Sequence, residues 1–231
     1  MIFQTLLFLG FVTSIIEGCS YAKFGSDHTM CIYSGKGCPI SQREIDQAGI
    51  KDLLQAHNEL RQKVANGQQA GQPPAANMNK VTWNAELATV AQRLADQCQF
   101  QHDKNRRIEK FSHVGQNIYM SWTSDNSAKP DFKGAVHSWY NEVTKPGFNS
   151  KNIQPFVFTS GTGHYTQVVW GETTAVGCGV SAFKDQGMNA NLIVCNYGPG
   201  GNMISSSMYA QGKACSQCKT KCSSDYPGLC E

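Results

Sequence analysis

The sequence has no apolar run long enough to cross a bilayer. Its longest, Leu6 to Ile16, falls short of the ~18–20 residues that a spanning helix needs. No helical membrane span is therefore expected. The chain also has no block of basic residues. Its 20 Lys and Arg against 17 Asp and Glu leave a net charge of +3 spread along the chain, so a nucleic-acid partner is not expected. No N-x-S/T sequon with a permitted middle residue occurs, so N-glycosylation is not expected either. No internal repeat and no low-complexity tract is present, which argues against a solenoid or a disordered linker.

What the chain does have is cysteine. All ten, Cys19, Cys31, Cys38, Cys98, Cys178, Cys195, Cys215, Cys218, Cys222 and Cys230, follow the apolar N-terminal run. That run leads into Glu17-Gly18-Cys19 and has the shape of a secretory signal, with cleavage expected near Gly18. The signal lacks a Lys or Arg before its apolar core. Glu17 stands where a lipoprotein signal wants a small residue, so lipidation of Cys19 is not expected. An even cysteine count behind a signal reads as a disulfide framework in an oxidising compartment. A zinc site in Cys215-x-x-Cys218-x-x-x-Cys222 is the alternative. Oxidation argues against it, since a disulfide sulfur does not ligate zinc.

Residues 19–41 are rich in Gly, Ser and Cys and show no period, so an irregular, disulfide-pinned extension is expected. Ile50, Leu53, Leu54, His57, Leu60 and Val64 fall at helical spacing and predict a helix over Asp46 to Ala65, ended by Asn66-Gly67. A second helix is predicted after Asn84, a good N-cap, with Leu87, Val90, Ala91, Leu94 and Cys98 on one face. A third is predicted over Asp131 to Val143, stopped by Lys145-Pro146-Gly147. Strands are predicted at Val114 to Trp122, Phe156 to Phe158, Ala175 to Phe183 and Ala190 to Tyr197. The order lacks a βαβ repeat and favours a layered α+β domain. The last stretch, Gly212 to Glu231, has too little apolar content for a core of its own, so bridges must hold it.

Two long segments carry the strongest signal: GHYTQVVWGET (Gly163 to Thr173) and LIVCNYGPGGNM (Leu192 to Met203). Together they resemble the two signatures of the CAP superfamily, which holds cysteine-rich secretory proteins, antigen 5 venom allergens and plant pathogenesis-related 1 proteins. HNELR (His57 to Arg61) and VGQNIYMSW (Val114 to Trp122) resemble two further motifs of that family. The resemblance implies an α/β/α sandwich with an antiparallel sheet between helical layers. It divides the chain into a signal peptide, 1–18, a Cys-rich extension, 19–48, a CAP domain, 49–204, and a hinge-like tail, 205–231. The Cys-rich extension and the GQN variant are similar to arthropod antigen 5 proteins. That branch implies Cys19–Cys31, Cys38–Cys98 and Cys178–Cys195. The tail resembles the hinge of cysteine-rich secretory proteins and implies Cys215–Cys222 and Cys218–Cys230. The channel-regulating domain that follows this hinge in snake members is missing.

The family cleft holds two His and two acidic residues, which map to His102, Gln116, Glu142 and His164. Two imidazoles beside a carboxylate are zinc or copper chemistry, with His102 and His164 as the ligands. Gln116 departs from the pattern, because many relatives have Glu. An amide is no general base and ligates metal weakly. The expectation is a buried polar network with at most weak zinc or copper binding, no required cofactor and no catalytic residue. Ser160 invites a Ser/His/Glu hydrolase reading but lacks a nucleophile elbow, so TSGTG reads as a turn. His57 reads as a packed helix residue and Arg61 as a helix anchor bonded to backbone carbonyls.

The resemblance implies a secreted, monomeric, non-enzymatic venom or salivary protein that binds a host protein or a small hydrophobic ligand. The rivals are a toxin acting on voltage-gated calcium or potassium channels and a copper- or zinc-dependent redox or hydrolytic enzyme. Integrin binding through Arg-Gly-Asp is excluded, since that tripeptide is absent.

Overall fold

The structure is a computed structural model that describes residues 18–34, 38–127 and 129–231. The expected signal peptide, apart from Gly18, lies outside the described residues. The elements in chain order are α1 (Thr29–Ile32), β1 (Ile40–Arg43), α2 (Gln47–Ala65), β2 (Thr82–Trp83), α3 (Ala85–Ala95), β3 (Gly115–Thr123), α4 (Phe132–Asn141), α5 (Gly163–Val168), β4 (Ala175–Asp185) and β5 (Met188–Gly198). Short 3-10 turns occupy Ser20–Phe24 and Ser150–Asn152.

Each long helix starts where a side chain can accept its first free N–H. Asp46 accepts from Gly49, Asn84 from Leu87 and Asp131 from Gly134. α2 ends at Asn66, after which Gly67 takes a φ of +68° that a residue with a Cβ resists. α3 stops at Ala95, a turn short of its predicted end, and Cys98 lies beyond it with a φ of +57°.

The sheet order is β1-β4-β5-β3, and β2 adds a short parallel pairing to β4. β4 and β5 form a tight hairpin from Asp185↔Met188 to Ala175↔Gly198. Its turn residues, Gln186 and Gly187, have φ of +48° and +83°, the left-handed pair that a two-residue hairpin turn requires. β5 alternates its side chains by the two-residue period of a strand. Ile193, Cys195 and Tyr197 face the layer built by α2, α4 and α5, while Leu192 and Val194 face α3.

α3 lies with its backbone directly on β4. A Cβ at Gly177 would stand 2.3 Å from Ala88 N, and one at Gly179 would stand 2.3 Å from Gln92 Cα. Gln92 then uses its side-chain amide as a further rung, accepting from Val180 N at 2.9 Å and donating to Val180 O at 2.8 Å. The sandwich is therefore α2/α4/α5, sheet, α3, and it is a mixed helix and antiparallel-sheet fold.

One predicted strand is absent. Phe156 makes an isolated bridge with Ile153 and exchanges bonds with Ser205 and Ser206, but Val157 and Phe158 continue in no ladder. The segment opposite, Met203 to Ser206, is a turn and offers no extended partner. α5 and β1 carried no readable period, being six and four residues long.

The five disulfides are Cys19–Cys31, Cys38–Cys98, Cys178–Cys195, Cys215–Cys222 and Cys218–Cys230. Cys178 and Cys195 stand directly opposite each other across the β4–β5 ladder. The segment after residue 204 is pinned to the body. Met208, Tyr209 and Leu229 are buried in the main core, and Cys230 donates its N–H to Met78 O while its carbonyl accepts from Lys80 N.

Arg61 is fully buried and bonds five carbonyl oxygens: Asn79 O through Nε, Val168 O and Trp170 O through Nη1, and Gly171 O and Thr173 O through Nη2. Burial lowers its pKa to about 9, so it keeps its charge at neutral pH. Replacing Arg61 with Met would take the guanidinium from all five acceptors, of which Gly171 O keeps Asn79 and Trp170 O keeps Thr173 N as donors. The expected loss is at least ~3 kcal/mol of unfolding free energy by urea denaturation. A loss under ~1 kcal/mol would mean that water replaces the guanidinium.

Candidate functional site

The four expected cleft residues meet where α4, α5, β3 and the loop after α3 converge. They form two hydrogen-bonded pairs. Glu142, the residue after α4, is the N-terminal cap of α5 supplied from another helix. Its Oε2 accepts from the backbone N–H of His164 at 2.9 Å and of Tyr165 at 3.0 Å. Its Oε1 lies 2.6 Å from His164 Nδ1. Thr162, the residue before α5, makes no side-chain cap of its own. A carboxylate is the favoured group at a helix N-terminus.

In the second pair, His102 Nδ1 lies 2.7 Å from Gln116 Oε1. The Gln116 amide donates to Asp103 Oδ1 at 3.1 Å and to Asn196 Oδ1 at 2.9 Å. Asn196 is the β5 residue opposite Gln116 in the ladder. Asp103 is itself buried, accepts from Arg106 Nε at 2.5 Å, and bonds the Thr29 hydroxyl. Burial lowers the His102 pKa, the Gln116 bond opposes this, and nearby Arg106 and His164 lower it further.

These contacts fix both tautomers. A carboxylate and an amide oxygen only accept. Each Nδ1 must therefore carry a proton, so the neutral tautomer of each ring has its lone pair on Nε2. Trp139 stacks on His164 with centroids 6.3 Å apart and holds the ring plane.

A buried chain of bonds runs beneath the cleft. His57 Nδ1 donates to Leu53 O at 2.8 Å, and its Nε2 accepts from Tyr197 Oη at 2.9 Å. Asn117 donates to Tyr197 Oη at 3.3 Å and to His164 O at 3.1 Å. His57 is thus a packed, fully bonded helix residue. Ser160 sits in an exposed turn with Gly161, and among the described residues no hydrogen bond joins it to His164.

Sequence reasoning missed Asp103 and Asn196. Asp103 directly follows His102, and Asn196 lies inside the second motif, so both were on view. Their roles depend on a pairing across the sheet that no spacing reveals.

Residues 54–197 match the family model for CAP, the cysteine-rich secretory protein family. The chain belongs to the CAP family. It is 44% identical to Scoloptoxin SSD976 of Scolopendra dehaani over 86% of this chain and 91% of that one. It is 38% identical to a CRISP/Allergen/PR-1 protein of Trittame loki and to venom allergen 5 of Tityus serrulatus. The chain spans only 61% and 58% of those two relatives' lengths. Among solved structures, NaASP2 with Zn2+ shares 33% identity at a TM-score of 0.68, covering 84% of this chain and 100% of its own. BmVAL-1 shares 30% at a TM-score of 0.71, covering 84% and 98%. The protein is a secreted, venom-type CAP protein with the family's sandwich fold. Among the described residues no helix is long and apolar enough to cross a membrane.

The donor set of this CAP protein fits a divalent ion only in part. Two oriented imidazoles offer Nε2, each backed by the acceptor that metal-binding histidines use. Among the described residues, no group of three His, Cys, Asp or Glu is arranged to hold an ion. Gln116 keeps the orienting bond that a Glu would make but withdraws its charge. Restoring the carboxylate with Gln116→Glu is expected to tighten zinc about tenfold by calorimetry; an unchanged Kd would show that residue 116 does not set the affinity.

Burial also lowers the His57 pKa from 6.5 to about 4. The unfolded chain then binds a proton between these two values while the folded chain does not. Stability from this group is full above pH 6.5, falls by ~3 kcal/mol towards pH 4 and is flat below. Urea midpoints across this window should fall more steeply for the native chain than for His57→Asn. Parallel profiles would refute the assignment.

Proposed function

We propose that this CAP protein acts by binding rather than catalysis, and that its ligand is a small amphipathic lipid held beside α2. The cleft supports the first half. Glu142 is the only carboxylate in the expected set, and three N–H bonds already occupy it. Gln116 abstracts no proton, and among the described residues no serine or cysteine there is paired with a base. The free lone pairs left in the cleft are those of His102 and His164 Nε2, and among the described residues neither is bonded to a hydroxyl or thiol that it could activate.

The observation that carries the second half is a groove of about 580 Å3 along α2. Ile50 and Leu54 of α2, Val81, Trp83 and Tyr226 of the tail line it beside the polar Gln47, Gln55, Asn58 and Thr82. Two lysines rim it. Lys80 is engaged with Asp225 and Glu231. Lys51 has no ion pair among the described residues and suits the carboxylate of a fatty acid. An apolar trough with one unspent cation is the usual recipe for such a ligand.

Mass spectrometry of lipid extracted from the secreted protein, with titration of a fluorescent fatty acid, tests this reading. Uptake is expected, weakened about tenfold by Trp83→Ala. A protein that is isolated empty and takes up no added fatty acid would sink the lipid reading. Block of voltage-gated calcium or potassium currents by the lipid-free protein would move the function to channels instead.

A further inference from the structure

Four of the exposed large apolar side chains come from two neighbouring loops, and the groove does not use them. Val157 and Phe158 are each 51% exposed, Met203 44% and Ile204 73%. They come from two loops that the backbone ties edge to edge, through Phe156 N to Ser206 O at 2.6 Å and Ser205 N to Phe156 O at 3.1 Å. Gly163 locks the junction. The Phe158 ring stands 3.0 Å from where a Cβ on Gly163 would be, and Asn202 donates to Gly163 O at 2.9 Å. The two loops therefore bring the four exposed side chains to one region of the surface, at the lip of the His164 cleft.

Both loops are free of acid. No Asp or Glu occurs from 143 to 171 or from 186 to 224, although the chain has 17 of them. The first loop adds Lys151, two residues before the Ile153–Phe156 bridge, and Lys145, whose neighbour Pro146 lies against Gly161. A patch meant to be covered by another protein copy would meet its own positive charge there. A surface that is apolar at its centre and cationic around it complements the headgroup and upper acyl layer of an anionic bilayer.

We propose that the loops carrying Val157, Phe158, Met203 and Ile204 dock this protein onto anionic membrane surfaces, with Lys145 and Lys151 meeting the lipid headgroups. Docking inserts the four apolar side chains without any spanning segment. It also turns the His102–His164 cleft towards the headgroup layer. The proposal is independent of the groove beside α2, which takes single lipid molecules at a different place in the fold.

Sedimentation with phosphatidylcholine vesicles, with and without phosphatidylserine, tests it. The secreted protein should bind phosphatidylserine vesicles, bind phosphatidylcholine alone more weakly, and lose much of the difference near about 0.5 M salt. Phe158→Ser/Ile204→Ser should lower the partition coefficient at least about tenfold. Lys145→Glu/Lys151→Glu should abolish the phosphatidylserine preference. Because Phe158 touches Gly163, Val157→Asp serves as a second variant away from that contact, with melting temperatures checking that each variant folds. Failure of the native protein to bind, or equal binding by the apolar variants, overturns the proposal. Self-association that the variants lose, without vesicle binding, would also overturn it and make the patch a contact between copies. Fatty-acid uptake in the same variants should stay unchanged, so failure here leaves the groove reading standing.

Discussion

The buried guanidinium of Arg61 is the constraint on which the rest depends. Five carbonyls from the irregular stretch after Met78 and from the turn after α5 point into the core with few N–H partners of their own. A buried acceptor without a donor costs free energy. Arg61 satisfies them from the face of α2, and its planar fork reaches several acceptors at once where a lysine would not. That one side chain fastens the longest helix to the turn holding Trp170. It thereby fixes where α5 ends.

The cleft lies at the other end of α5. α5 is short and has no cap of its own, so the Glu142 carboxylate from the preceding helix serves as its N-terminus partner. A group that caps a helix and orients an imidazole has little capacity left for chemistry. On the other side, Gln116 takes up the same orienting task for His102 while bonding Asp103 and Asn196. The site is well organised and poorly charged, which suits a rigid cleft better than a reactive one.

The surfaces outside the cleft divide the remaining work. The tail lends Leu229 and Tyr209 to the core and Tyr226 to the groove beside α2. Its bridges therefore hold one wall of that groove as well as the tail itself. The loops at the cleft's lip do the opposite. They leave Phe158 and Ile204 in solvent because the turn at Met203 to Ser206 gives residues 156–158 nothing to pair with. The same missing ladder that removes a predicted strand creates the exposed patch.

The sequence by itself determined the long helices and the strands that pair as β4 and β5, and its family motifs pointed to the secreted class and to the four cleft residues. These rest on local signals: apolar spacing, Asn84 as a cap, Asn66-Gly67 as a stop, and contiguous motifs. Arg61 was legible as an anchor because a charged residue on an apolar helix face must find acceptors. Only the tertiary structure decided what those residues do. Gln116 reads as a lost charge in the chain, yet in the fold it is an orienting acceptor, because β5 brings Asn196 opposite it. Glu142 reads as a ligand or base, yet it is a helix cap, because α4 ends against the start of α5. Such roles come from contacts between residues far apart in the chain, and no local period encodes them.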